Sequence, residues 1–247
     1  MISALSADYI ITVLKGIKQV RARKKKHGAE RLAACDEFFI HNPEEQKGNW
    51  HEVFGNENEI NLEIGCGKGK FILECAKRHP DINYIGIEKV PDIIMLAGEK
   101  LMREKLPNVK LIMADAANLS EYFSKGEISR IYLNFSDPWK KGKQAKRRLT
   151  YHTFLSSYRS VLPEDGTVEF KTDNRPLFDF SLEEMTAYGW KLSDVCFDLH
   201  QSEYEKDNIH TEYEDNFSAK GFPINRLVGT PPLVEILPPP KKKKEEE

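Results

Sequence analysis

From residue 60 to residue 228 short β-branched apolar runs alternate with segments of helical spacing, and this alternation constrains the fold more than any other feature. Strands are read at 60–64, 83–87, 109–113, 128–135, 167–171, 190–199 and 224–228, with helices at 71–78, 91–106, 116–123, 150–162 and 177–188. Strands separated by helices pair in parallel, because each helix carries the chain back across a sheet face. The expected fold is α/β: a doubly wound, mostly parallel, seven-stranded Rossmann-like sheet with helices on both faces.

The flanks read differently. Residues 21–26 form a basic block and 27–39 a short helix, so 1–40 is an N-terminal extension that is either an arm across a polyanion or a plain tail. Residues 41–58 hold Pro43, Gly48, Gly55 and several Asn and are expected to be mostly loop, anchored by Trp50, Val53 and Phe54. The globular domain spans 41–229, and 230–247 is a Pro/Lys/Glu tail without a fold of its own.

Net charge is only -2, so a nucleic-acid partner rests on two local basic clusters, 21–31 and 140–148. Cys35, Cys66, Cys75 and Cys196 show no CxxC pair and no histidine at ligand spacing, which points to free thiols in the cytoplasm and to no metal site. No apolar run reaches the ~18–20 residues of a membrane span.

The first strand runs into Glu63-Ile-Gly-Cys-Gly-Lys-Gly69, and glycines at 65, 67 and 69 let the backbone turn tightly beside a ligand. This is not the GxGxxG loop that cradles a pyrophosphate, and Glu63 sets a negative charge where a phosphate would sit. Glu88 ends the second strand, where an acid can bind ribose hydroxyls; Asp115, followed by Ala116, ends the third, placed for an adenine amino group. Each acid alone could be a cap or a solvated turn residue; three in register suit S-adenosylmethionine. The fourth strand ends in Asn134-Phe-Ser-Asp-Pro-Trp139 and a basic run, joining a carboxylate, Asp137, to phosphate-binding charge. Trp139 is read either as a stacking platform or as a core plug.

With those residues in hand, the chain resembles the bacterial tRNA (guanine-N7-)-methyltransferases, a class I methyltransferase family. The resemblance runs over about 21–228, through Glu63–Gly69, Gly86-Ile-Glu88, Asn134–Trp139, Phe170-Lys-Thr-Asp173 and Thr211-Glu-Tyr-Glu214. It implies that Glu63, Gly65, Gly67, Gly69, Glu88, Asp115, Ala116 and Asp137 bind the methyl donor. It further implies that Lys141, Asp173, Thr211, Glu212, Tyr213 and Glu214 contact the guanosine, that Lys143, Gln144, Ala145, Lys146, Arg147 and Arg148 touch tRNA, and that the target is guanine 46 in the variable loop.

Guanine N7 loses no proton on methylation, so positioning and charge stabilisation matter more than a general base, and Asp137 is the expected catalytic carboxylate. Two features depart from the family pattern. The basic run lacks an expected histidine, having Gly142-Lys143-Gln144-Ala145 instead, and 1–20 precede the usual family start as an extension or a misplaced start. The rival readings are a methyltransferase of another nucleic-acid base, against which the single proline of Ser136-Asp137-Pro138-Trp139 argues, and a non-catalytic RNA-binding protein. Monomer and homodimer both stay open.

Overall fold

Seven strands carry the fold: β1 (Ile60–Ile64), β2 (Asn83–Ile87), β3 (Val109–Ile112), β4 (Arg130–Asn134), β5 (Thr167–Thr172), β6 (Lys191–Cys196) and β7 (Asn225–Thr230). The structure, a computed structural model, describes residues 26–218 and 221–236; the reading of 1–20, most of the basic block and the end of the tail lie outside them. The strands form one sheet in the order β3-β2-β1-β4-β5-β7-β6. β1 to β5 pair in parallel, and β7 runs antiparallel between β5 and β6. The chain leaves β1 for β2 on one side and later returns to place β4 on the other. That reversal opens a crevice at the carboxyl ends of β1 and β4.

Both faces are covered. Helices α3 (Lys70–Arg78) and α4 (Pro91–Glu104) bury Ile72, Leu73, Ile94 and Leu101 on one face, with α1 (Gly28–Ala34) adding Leu32. On the other face α2 (Trp50–Phe54), α5 (Leu119–Tyr122), α6 (His152–Val161) and α7 (Arg175–Ala187) bury Trp50, Leu119, Leu155, Tyr158 and Phe178. A last short helix, α8 (Glu212–Ser218), lies near the crevice.

Several expected boundaries move, each for a local reason. The 41–58 stretch is not mostly loop: Pro43–Gln46 is a 3-10 turn and Trp50 opens α2. Trp50 is the expected anchor, fully buried, with Nε1 donating to the Tyr122 carbonyl at 2.9 Å, while Val53 and Phe54 pack beside it. The 27–39 helix breaks at Cys35 into α1 and a 3-10 turn, Asp36–Phe38. Cys35 and Phe39 dock where Gly98 of α4 leaves room, since a Cβ there would lie 2.8 Å from the Phe39 ring. Arg31 adds a two-pronged ion pair to Glu99 at 2.7 and 2.8 Å, so this segment is part of the body.

The fourth strand stops at Asn134 because Phe135 turns left-handed (φ 52°). The sixth is shorter than expected because Asp194 (φ 51°) sits in a register shift between Ser193 and Cys196, which ends regular pairing at this edge strand. The described part of the tail lies on α6, whose Arg159 donates to the carbonyls of Pro232 and Leu233 at 2.9 and 2.6 Å.

Candidate active site

The donor side is built at the end of β1. Gly65, Gly67 and Gly69 all have positive φ, at 78°, 57° and 77°, which only glycine adopts cheaply. At Gly69 a Cβ would also fall 2.8 Å from that of Ala97, so glycine is required twice over for α3 to start against α4. The carboxylate of Glu63 is buried, 3% exposed; its Oε1 accepts from Asn134 Nδ2 at 2.9 Å. Among the described residues, its Oε2 and the Asn134 Oδ1 have no partner. Burial pushes the Glu63 carboxyl up to about 7, against the pull of the Asn134 hydrogen bond and the nearby Lys171 ammonium.

Glu88, half-buried at the end of β2, accepts from the Val90 amide at 2.9 Å, and burial raises its pKa. Asp115 caps the turn after β3 by accepting from Ala117 N at 3.1 Å, and its other oxygen lies 4.0 Å from Lys89 Nζ. Glu88, Asp115 and Ala116 line a cleft of about 550 Å³ together with Gly65, Asn134, Asp137 and Trp139. A second hollow of about 360 Å³ shares Gly65, Asn134 and Phe135 with it and reaches Glu63, Gly67, Lys68 and Tyr213.

The Asn134–Trp139 segment forms the wall between the two, and it is strained. Phe135 and Trp139 both hold positive φ, 52° and 41°, without being glycine. The Phe135 amide donates to the Lys171 carbonyl at 2.9 Å, and its ring packs 4.9 Å from that of Tyr213. Asp137 is exposed on the cleft, and no other described residue pairs with it. Trp139 is a cleft-wall residue rather than a core plug, with the Arg147 guanidinium 3.5 Å from its ring centre.

The basic run splits into two populations. Lys141, Lys143, Lys146 and Arg147 are exposed, on or beside a 3-10 turn, Gly142–Arg147, that also holds Gln144 and Ala145. Arg148 turns inward instead, donating to the carbonyls of Pro138 and Trp139 at 3.1 and 3.3 Å and lying over Phe180. It staples the strained loop, so an RNA contact by its guanidinium is not what this arrangement offers.

Asp173, at the end of β5, accepts from the Tyr213 hydroxyl at 3.2 Å. Glu212 is held by Lys68 and Lys100 at 2.9 and 2.6 Å. Thr211 and Glu214 form a capping box that starts α8: the Glu214 amide donates to Thr211 Oγ1 at 2.9 Å and the Thr211 amide to Glu214 Oε2 at 3.4 Å. Glu214 has no exposed surface. It accepts from Lys171 Nζ at 3.1 Å and Asn208 Nδ2 at 2.7 Å, with His200 Nε2 at 3.1 Å. Its side chain therefore faces Lys171 rather than an open guanosine pocket, contrary to the expected substrate contact. Asn134 and Lys171 stand in motifs the sequence displays, but no role is read for them there, nor for Asn208 and His200. For Lys171 a signal existed, since a lysine within an apolar strand needs a partner.

The site fits S-adenosylmethionine on the chemistry of its acceptors. Two orphaned buried acceptors, Glu63 Oε2 and Asn134 Oδ1, suit an amino group, while Glu88 and Asp115 offer acceptors for hydroxyl and amine hydrogens. Among the described residues, the ligand-type atoms of His200, His210 and Glu214 come within 4.8 Å of one another, but Glu214 is already engaged by Lys171.

A family model described as "Putative methyltransferase" matches residues 57–227. A tRNA (guanine-N(7)-)-methyltransferase of Bacillus cytotoxicus is 52% identical over 84% of this chain and 95% of its own. One from Lachnoclostridium phytofermentans is 52% identical over 81% of this chain and 94% of its own. Among solved structures, the 16S rRNA methyltransferase KamB superposes with a TM-score of 0.57 at 15% identity, covering 76% of this chain and 93% of that one. An antibiotic-related methyltransferase gives 0.54 at 20% identity, covering 73% and 90%. These two share the fold; the sequence relatives carry more. The chain belongs to the tRNA (guanine-N7-)-methyltransferase family.

Proposed function

We propose that this protein methylates N7 of a guanine in tRNA, at position 46 of the variable loop, using S-adenosylmethionine. The observation that carries the reading is the pairing of a cation-seeking pocket with an exposed lysine-rich turn across one loop, Asn134–Trp139. A cytoplasmic location and action without a metal belong to the same reading.

When bound, S-adenosylmethionine supplies an electrophilic sulfonium methyl; the guanine N7 lone pair forms the new N–C bond, the C–S pair returns to sulfur, and no proton leaves. Glu63 and Asn134 hold the donor's amino group, Glu88 the ribose and Asp115 the adenine. Asp137, on the cleft and without a partner among the described residues, faces the positive charge that passes to the purine. Asp173 and Tyr213 lie at the base edge, and Lys141, Lys143, Lys146 and Arg147 meet phosphates.

The test is a tRNA carrying 7-deazaguanine at position 46, in which carbon replaces the nucleophilic nitrogen. It should bind as well as unmodified tRNA and accept no methyl group. Methylation of the deaza substrate at that residue would overturn the N7 assignment, and equal methylation of DNA would favour a broader base methyltransferase.

A further inference from the structure

Among the described residues the most exposed aromatic side chains are Phe222 at 52%, Phe197 at 47% and Tyr213 at 39%, and all three stand at one end of the sheet. Thr172, which ends β5, pairs with Asn225, which begins β7, and Cys196, which ends β6, pairs with Arg226. Asp173 directly follows Thr172, Phe197 directly follows Cys196, and Phe222 lies three residues before Asn225. Three residues of chain span at most about 11 Å, so all of them gather at the carboxyl end of β5. Single exposed apolar residues are ordinary, whereas three gathered beside one site mark a recognition surface.

Contacts run along this edge from the strained loop outward. The Phe135 ring lies 4.9 Å from that of Tyr213, whose hydroxyl donates to Asp173 at 3.2 Å. Two residues on, Arg175 opens α7, and its guanidinium lies 4.4 Å from the ring centre of Phe197. The Phe197 ring meets the buried Phe178 edge-on at 5.6 Å, which fixes its plane. Aromatic rings and an arginine plane in a row are the surfaces on which unpaired RNA bases stack. Phosphate attraction is not what this edge offers, because Arg175 already pairs with Asp179 at 2.7 Å and Asp173 and Asp198 add negative charge.

We propose that Arg175, Phe197 and Phe222 form a stacking platform for the unpaired nucleotides that flank the target guanine. The inference rests on the proposed function for RNA as the substrate. The platform lies on the β7–β6 side of β5, whereas the lysine-rich turn follows β4, on the other side of β5 in the sheet. The two grips use different chemistries: exposed lysines hold phosphates, and the platform holds base faces. A duplex hides its base faces, so this edge selects a target guanine in an unpaired segment.

The experiment compares the wild type with Phe222→Ala, Phe197→Leu and Arg175→Lys, all as full chains. Leucine at 197 keeps an apolar contact with Phe178, and lysine at 175 keeps the charge while losing the planar guanidinium. The probes are unmodified tRNA and the same tRNA with abasic nucleotides on both sides of the target guanine, every phosphate retained. Each variant should bind unmodified tRNA about tenfold more weakly with an unchanged salt slope, and S-adenosylmethionine within twofold of the wild type. At saturating tRNA, kcat should stay within a few-fold of the wild type. The abasic tRNA should bind the wild type about tenfold more weakly than intact tRNA, while Phe222→Ala should distinguish the two tRNAs much less, because the lost base and the lost ring belong to one contact.

Variants that all bind unmodified tRNA within twofold of the wild type would overturn the proposal. So would Phe222→Ala losing as much affinity on going from intact to abasic tRNA as the wild type does, or a salt slope lowered by Arg175→Lys, which would assign this edge to phosphates. A Phe222→Ala protein with altered oligomeric state and unaltered tRNA affinity would overturn it in favour of a protein interface. Phe222 is the most exposed of the three rings, so its comparison stands even if Phe197→Leu fails to fold. A wild type that binds tRNA but forms no 7-methylguanosine would fail the proposed function instead, leaving the abasic comparison readable.

Discussion

In the proposed function Glu63 carries opposing demands: it is to be ionised to hold a cationic amino group, yet the fold buries it with one oxygen that has no partner among the described residues. Its folded pKa, about 7, lies above the ordinary 4.5. The sign follows from linkage. The folded state binds this proton more tightly, so the contribution to stability is whole below about pH 4.5 and is lost as pH rises through 7, a change of about 3 kcal/mol. Glu63→Gln should thus raise the melting temperature of the donor-free protein by several degrees at pH 8 and leave it nearly unchanged at pH 5, while abolishing donor binding. Differential scanning calorimetry at the two pH values checks this, and an equal shift at both would contradict it. Glu63 was legible in the sequence because an acid ahead of a GxGxG loop is chemically pointed. Its pairing with Asn134 was not, since a strand-end asparagine has many uses and only the parallel β1–β4 pairing brings the two together.

At the level of elements, the glycine loop and the basic turn answer to different tests. Gly69→Ala combines a positive φ with a clash against α4 and should cost about 2 kcal/mol in urea unfolding along with weaker donor binding. In the basic run, Lys143→Ala should weaken tRNA binding and lower the salt slope of the affinity by about one. Arg148→Ala should instead leave the salt slope alone and lower kcat, because its guanidinium braces the Pro138 and Trp139 carbonyls. Filter binding over a salt series, read beside initial rates, separates the two. Charge density marked the run as a phosphate site, but the inward turn of Arg148 depends on where Phe180 and the loop carbonyls lie, which spacing does not encode. Likewise α2 was hidden inside a Gly- and Asn-rich stretch. Tertiary burial of Trp50, rather than local propensity, holds that five-residue helix.

Across the whole molecule, periodicity alone yielded the seven strands and their parallel core, because helix and strand spacings differ enough to be separated. Where β6 frays and where Cys35 breaks the first helix were set by long-range contacts the sequence does not display. The same architecture brings Glu88 and Asp115, beyond β2 and β3, to the cleft on one side of the Asn134–Trp139 wall, and Glu63 of β1 with Tyr213 to the hollow on the other. Methyl transfer is expected to pass across that wall beside Asp137. The most direct measurement is nucleoside mass spectrometry of unmodified tRNA after incubation with S-adenosylmethionine and either the wild type or Asp137→Ala. The expected result is 7-methylguanosine with the wild type and a loss of at least about 10²-fold in rate with Asp137→Ala, tRNA affinity being retained. No 7-methylguanosine from a wild type that binds both ligands, or an Asp137→Ala rate within a few-fold of it, would contradict this.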